Sequence, residues 1–141
     1  MVFMFRKKHL LTFALAVIMA FSMGGAALAN GIAPHWDNTR VCFPALTFSG
    51  TTAVCDVTIQ GMSGTTEIDP TITLQKKKAS GGFSADTSWE PSASNGDSFY
   101  WSDTRPNCTS GTDYRLKIVA DVTRNGTTET ITVYSDPVTC P

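Results

Sequence analysis

Residues 114–134 read YRLKIVADVTRNGTTETITVY, and this stretch decides the fold. Tyr114, Leu116, Ile118, Ala120 and Val122 alternate with Arg115, Lys117, Val119 and Asp121. That period of two puts one set of side chains on each face of a strand. Asn125-Gly126 then supplies two residues that tolerate positive φ, as a two-residue type I′ hairpin loop requires. Such a loop sets Ala120 against Ile131 and Ile118 against Val133, with Lys117 and Tyr134 together on the opposite face. A slip of one residue would turn the whole apolar set to solvent, so the register is strongly specified.

The same logic works outward to a second hairpin. Ala45-Leu46-Thr47-Phe48 is a strand, Ser49-Gly50-Thr51-Thr52 a tight turn, and Ala53 to Ile59 a second strand. With Gly50-Thr51 as the loop, Leu46 faces Cys55 and Phe48 faces Ala53, again apolar against apolar. Between the hairpins, a loop through Gly61 and Gly64 leads to a strand over Thr71–Lys76. A turn at Ser80-Gly81-Gly82 leads to a short strand ending in Ser88-Trp89. After Pro91–Gly96, Ser98-Phe99-Tyr100-Trp101 reads as another strand. About seven short strands with regular turn signals and no helix predict an immunoglobulin-like antiparallel β-sandwich with Greek-key connections. A small β-barrel is the alternative. Tyr114 fits a tyrosine corner, whereas Leu116, two residues on, excludes the inter-sheet disulfide of antibody domains.

The run Leu46-Thr47-Phe48-Ser49-Gly50-Thr51-Thr52-Ala53-Val54-Cys55 resembles one group of proteins. So do Thr73-Leu74-Gln75-Lys76 with Trp89 after it, Tyr114-Arg115-Leu116, and the terminal Thr139-Cys140-Pro141. The group consists of small, signal-bearing, immunoglobulin-like proteins secreted by Gram-positive gut bacteria. The resemblance covers most of the chain after residue 29. It implies fold and export, and it carries over no functional residue.

Export is also written in the first residues. Arg6, Lys7 and Lys8 precede an apolar run from Leu10 to Phe21, and Ala27-Leu28-Ala29 has the form of a cleavage site. The run is shorter than the roughly 20 apolar residues that span a bilayer. The expected organisation is therefore a signal peptide over 1–29, an irregular lead over 30–40 and one immunoglobulin-like domain over 41–141. The product is expected to be extracellular, with no membrane insertion after cleavage. Losing Arg6, Lys7 and Lys8 leaves 8 basic and 12 acidic side chains, a net charge of −4. A nucleic-acid partner, which needs a basic stripe, is excluded on that balance. Lys76-Lys77-Lys78 is read as a solvated strand end that discourages edge pairing.

Cys42, Cys55, Cys108 and Cys140 are an even set in an exported chain, so disulfides are expected. The hairpin register brings Cys140 opposite Gly111, near Cys108, which favours a Cys108–Cys140 bond. Cys42–Cys55 would then remain. A continuous ladder separates those two by about 13 Å, beyond the roughly 7 Å limit, so that bond requires Pro44 to bend the first strand away.

Catalysis is not expected. His35, the one histidine after residue 29, precedes every strand and cannot be held as a base. Asp97, Asp103 and Asp113 stand near turns, where Asp satisfies backbone groups. No metal or cofactor is expected. An internal Lys–Asn isopeptide bond would need burial that Lys117 and Asn125 lack. Tyr100 and Trp89 are the candidate ligand-binding residues, since aromatic rings stack on sugar faces. Trp89 and the Phe99/Trp101 pair also suit core packing, with Tyr100 on the opposite face. The chain thus reads as a secreted, non-enzymatic interaction or adhesion-type module for an extracellular protein or glycan. Its alternatives are a glycan-binding module using the exposed aromatics, and a structural extracellular domain without a dedicated ligand.

Overall fold

The computed structural model describes residues 35–141; the expected signal peptide lies outside the described residues. Trp36–Pro141 forms one compact unit. Its eight strands are β1 (Thr39–Ser49), β2 (Thr52–Gly61), β3 (Thr65–Lys77), β4 (Phe83–Trp89), β5 (Ser98–Arg105), β6 (Asp113–Arg124), β7 (Thr127–Tyr134) and β8 (Val138–Thr139). They build two antiparallel sheets, one ordered β1-β2-β5 and the other β4-β3-β6-β7 with β8 also on β6. No helix occurs among the described residues.

Both hairpins have the expected register. Asn125 and Gly126 take φ of 50° and 77°, as the type I′ loop demands. Ala120 pairs with Ile131, Ile118 with Val133 and Lys117 with Tyr134. Leu46 pairs with Cys55 and Phe48 with Ala53 across a loop whose Gly50 has φ of 59°. One apolar cluster lies between the sheets. Val57, Ile59 and Phe99 come from the first sheet, Ile72, Leu74 and Ile118 from the second. Phe48 meets Tyr114 edge-on, with centroids 5.7 Å apart, and so joins the sheets through their rings. The Thr109 N–H donates to Tyr114 Oη at 2.8 Å, which fixes the turn before β6.

Three differences from the sequence reading have physical causes. First, β1 begins at Thr39, inside the expected lead segment of residues 30–40. Its polar start is tied down: the Asp37 and Asn38 N–H groups donate to the Glu129 carboxylate at 2.7 and 3.0 Å, and Asn38 Nδ2 donates to the Val122 and Thr127 carbonyls. Burying Asn38 is tolerable because its donors are satisfied.

Second, β3 starts six residues before Thr71 and runs through Pro70. Proline inside a central strand normally removes a ladder hydrogen bond. Ile68 exchanges both backbone bonds with Ser94, and alternate residues aim their N–H the same way, so the Pro70 nitrogen faces the β4 side. The β3–β4 ladder begins only at Ile72–Trp89. Pro70 therefore sits where no partner strand waits for an N–H.

Third, the last hairpin does not continue in step. Ser135 inserts a bulge, its Oγ accepting from the Leu116 N–H while its own N–H bonds the Leu116 carbonyl. β8 then pairs Tyr114 with Val138 and Asp113 with Thr139, one residue out of the β7 register. This gives the eighth strand.

Candidate functional site

None of the four cysteines is bonded to another in this structure, which differs from the expected pair of disulfides. Cys42 pairs with Ile59, and the β1–β2 register runs unbroken from Val41 to Ser49, with Pro44 opposite Val57. Pro44 bends nothing away, so Cys42 and Cys55 stay four rungs apart. The bulge at Ser135 shifts the register by one residue, yet Cys140 stays beside Gly111: its N–H donates to the Thr112 carbonyl at 2.9 Å and its carbonyl accepts from the Gly111 N–H at 2.8 Å. The Cys108 thiol turns to the Arg105 carbonyl at 3.4 Å, and that of Cys140 to the Pro141 carbonyl. Burial pushes the Cys42 and Cys55 thiols up to about 12, which leaves both protonated and unreactive at neutral pH.

The aromatic residues divide between interior and surface. Trp89 on β4 packs on Trp101 of β5, centroids 5.0 Å apart, and this pair closes one side of the molecule between the two sheets. Arg105 reinforces the same side, its Nε donating to Thr87 Oγ1 at 2.8 Å and to Asp86 at 3.2 Å. Tyr100, between Phe99 and Trp101 in sequence, points the other way and is 71% exposed. Tyr100 and Trp89 are therefore not parts of one surface. Trp89 belongs with the packing, and Tyr100 alone of the two candidates faces solvent.

The structure gives Tyr100 a different companion. Thr58 pairs with Phe43 on one side and with Tyr100 on the other, so these residues form a row across β1, β2 and β5. Adjacent strands are about 4.8 Å apart, which puts the two aromatic positions about 10 Å apart on one face. Phe43 is 55% exposed and Val41, two residues earlier, 41%. From Val41 to Thr47 and on the facing parts of β2 and β5, Asp56 is the only charged outward side chain. It accepts a hydrogen bond from Tyr100 Oη at 3.3 Å. Scattered exposed apolar residues are ordinary, but two large rings and a valine on one flat face form a patch of the kind that marks contact surfaces. Among the described residues, neither edge of this sheet, β1 or β5, carries a further strand.

Phe43 was hidden in the sequence because it lies upstream of Pro44, where the strand was not expected. The alternation of Val41, Phe43 and Ala45 with Cys42, Pro44 and Leu46 was the available signal. His35 is exposed, and Asp97 and Asp103 are exposed at opposite ends of β5. Asp113 is an ion-pair partner of Lys77 at 3.6 Å. Lys76, the first residue of the lysine run, donates to Thr109 Oγ1 at 2.7 Å. No protein-family model matches the chain, and no curated protein matches it.

Proposed function

We propose that the chain is an exported, non-enzymatic interaction module of immunoglobulin-like architecture, which docks an extracellular partner on the outer face of β1-β2-β5. The observation that carries this reading is the row Phe43–Thr58–Tyr100, whose two rings no other described residue covers. Covering a large apolar side chain fully is worth about 1.5–3 kcal/mol, so both rings together supply a useful anchor. Aromatic anchors of this kind dominate binding energy at protein interfaces.

The immunoglobulin-like assignment is supported by the strand order, in which the chain crosses between sheets after β2, β4 and β5. It is supported too by the Thr109–Tyr114 hydrogen bond, which has the form of a tyrosine corner. Export is supported by the leader and by the resemblance to secreted Gram-positive proteins.

The same row favours a second reading, glycan binding through Tyr100 and Phe43. Arrays of immobilised extracellular proteins and of glycans separate the two. The expected result is binding to a member of the protein set that Phe43→Thr with Tyr100→Thr abolishes. A glycan signal lost in the same variant gives this face to sugar. Binding that the double substitution leaves untouched contradicts both readings.

A further inference from the structure

We infer that Arg115 is the centre of a second binding site, on the outer face of β4-β3-β6-β7, which takes the carboxylate of an acidic saccharide. Its guanidinium carbon lies 4.1 Å from the ring centroid of Phe83 and 4.3 Å from that of Tyr134. Nε donates to Gln75 Oε1 at 2.8 Å. Phe83 opens β4, Gln75 lies on β3 and Tyr134 ends β7, so all three other strands of the β4-β3-β6-β7 path contribute to holding one side chain of β6. Rings over a guanidinium attract it through their negative faces. Here they also settle the entropy of a long, flexible side chain before any ligand arrives, which is what makes an arginine fork an efficient receptor.

What remains free is the end that recognises anions. Among the described residues, neither terminal nitrogen of Arg115 donates to a protein acceptor, and no carboxylate forms an ion pair with it. Two parallel N–H groups match a carboxylate in two-point geometry. The lack of an internal partner is notable in a chain whose acids outnumber its bases. The nearest acid by register, Asp113, is engaged by Lys77 and by Thr139. The remaining acids of this face stand at its far end, where Asp69 pairs directly with Asp121. The face is polarised, with Lys77, Arg115 and Lys117 gathered at one end.

The neighbouring groups select a sugar over a bare ion. The row beside Arg115 runs Ser88–Thr73–Lys117–Tyr134 across all four strands. It sets two hydroxyls, 2.9 Å apart, and an ammonium next to a phenol ring that is 47% exposed. Hydroxyls and the ammonium suit a saccharide's hydroxyl groups, and the ring suits its C–H face. Arg115 and Gln75 stand on the inner strands β6 and β3, not on an open edge to which an extended peptide would add.

The test is a titration of the protein, followed by amide and arginine Nε–H resonances, with oligogalacturonate, with the neutral galactan of the same length and with sodium sulfate, all at one ionic strength. Saturable shifts at Arg115, Phe83 and Tyr134 are expected with oligogalacturonate, at a dissociation constant about tenfold or more below either control. Arg115→Gln should abolish them. Lys117→Gln, which removes a charge but no ring contact, should weaken binding severalfold and serves if the first variant disturbs the sheet. Equal binding of the neutral galactan, sulfate as tight as the polyuronate, or shifts unchanged in both variants would each overturn the proposal.

Discussion

Ile118→Ala should lower the free energy of unfolding by about 2–5 kcal/mol. Ile118 has no exposed surface and sits on the row Ile72–Ile118–Val133, in the middle of the larger sheet. Its truncation removes apolar area from water-free surroundings and leaves a cavity that strands paired on both sides cannot collapse to fill. A domain of this size has only about 5–15 kcal/mol to lose, so the effect should be plain in urea unfolding as a fall in midpoint at constant slope. The adjacent Val119 points outward. Val119→Thr, which keeps the β-branched shape, should change stability by under about 1 kcal/mol. A larger loss at 119 than at 118 would mean that the faces are assigned the wrong way round.

Glu129→Ala should be the second costly change, about 1.5–3 kcal/mol, because its carboxylate collects several charge-assisted hydrogen bonds. It accepts from the Asp37 and Asn38 N–H groups and from Thr39 Oγ1. Those bonds fasten the start of β1, in one sheet, to β7, in the other. Burial by itself acts to raise the Glu129 carboxyl, but the hydrogen bonds outweigh it and hold the group below its ordinary value of 4.5. A carboxyl depressed in the folded state stabilises in full above its unfolded pKa and loses that contribution as pH falls through the folded one. The stability gap between the protein and Glu129→Gln should therefore be widest near neutrality and should narrow as pH falls below 4.5. Hydrogen exchange should show Asn38 and Thr39 opening first. A gap that widens in acid would contradict the clamp.

The hairpins were legible because their signals are local. Asn125-Gly126 and Gly50 dictate loop geometry, and alternation then dictates every pair up to Lys117–Tyr134. Tyr100 outside and Phe99 inside follow from the same alternation. What escaped was set by partners distant in sequence. Pro70 reads as a strand breaker until Ser94 is seen to occupy the neighbouring edge. Thr39 and Asn38 read as solvated lead until Glu129 satisfies them. Ser135 gives no local warning that its hydroxyl will replace a ladder partner for Leu116. Four cysteines in a chain whose leader reads as an export signal argue for disulfides by composition, whereas register and side-chain direction decide which sulfurs can meet. Phe43 was lost behind Pro44, and the rings over Arg115 come from strands that no nearby residue points to.

The central claim is that Phe43 and Tyr100 belong to a surface and not to the interior that holds the sheets together. Urea unfolding of the Phe43→Thr, Tyr100→Thr protein tests it most directly, since threonine keeps strand propensity while removing both rings. The expected midpoint lies within about 1 kcal/mol of the parent protein. A loss above about 3 kcal/mol, the scale of deleting a buried ring, would show that the rings serve the fold and would leave no free face for a partner.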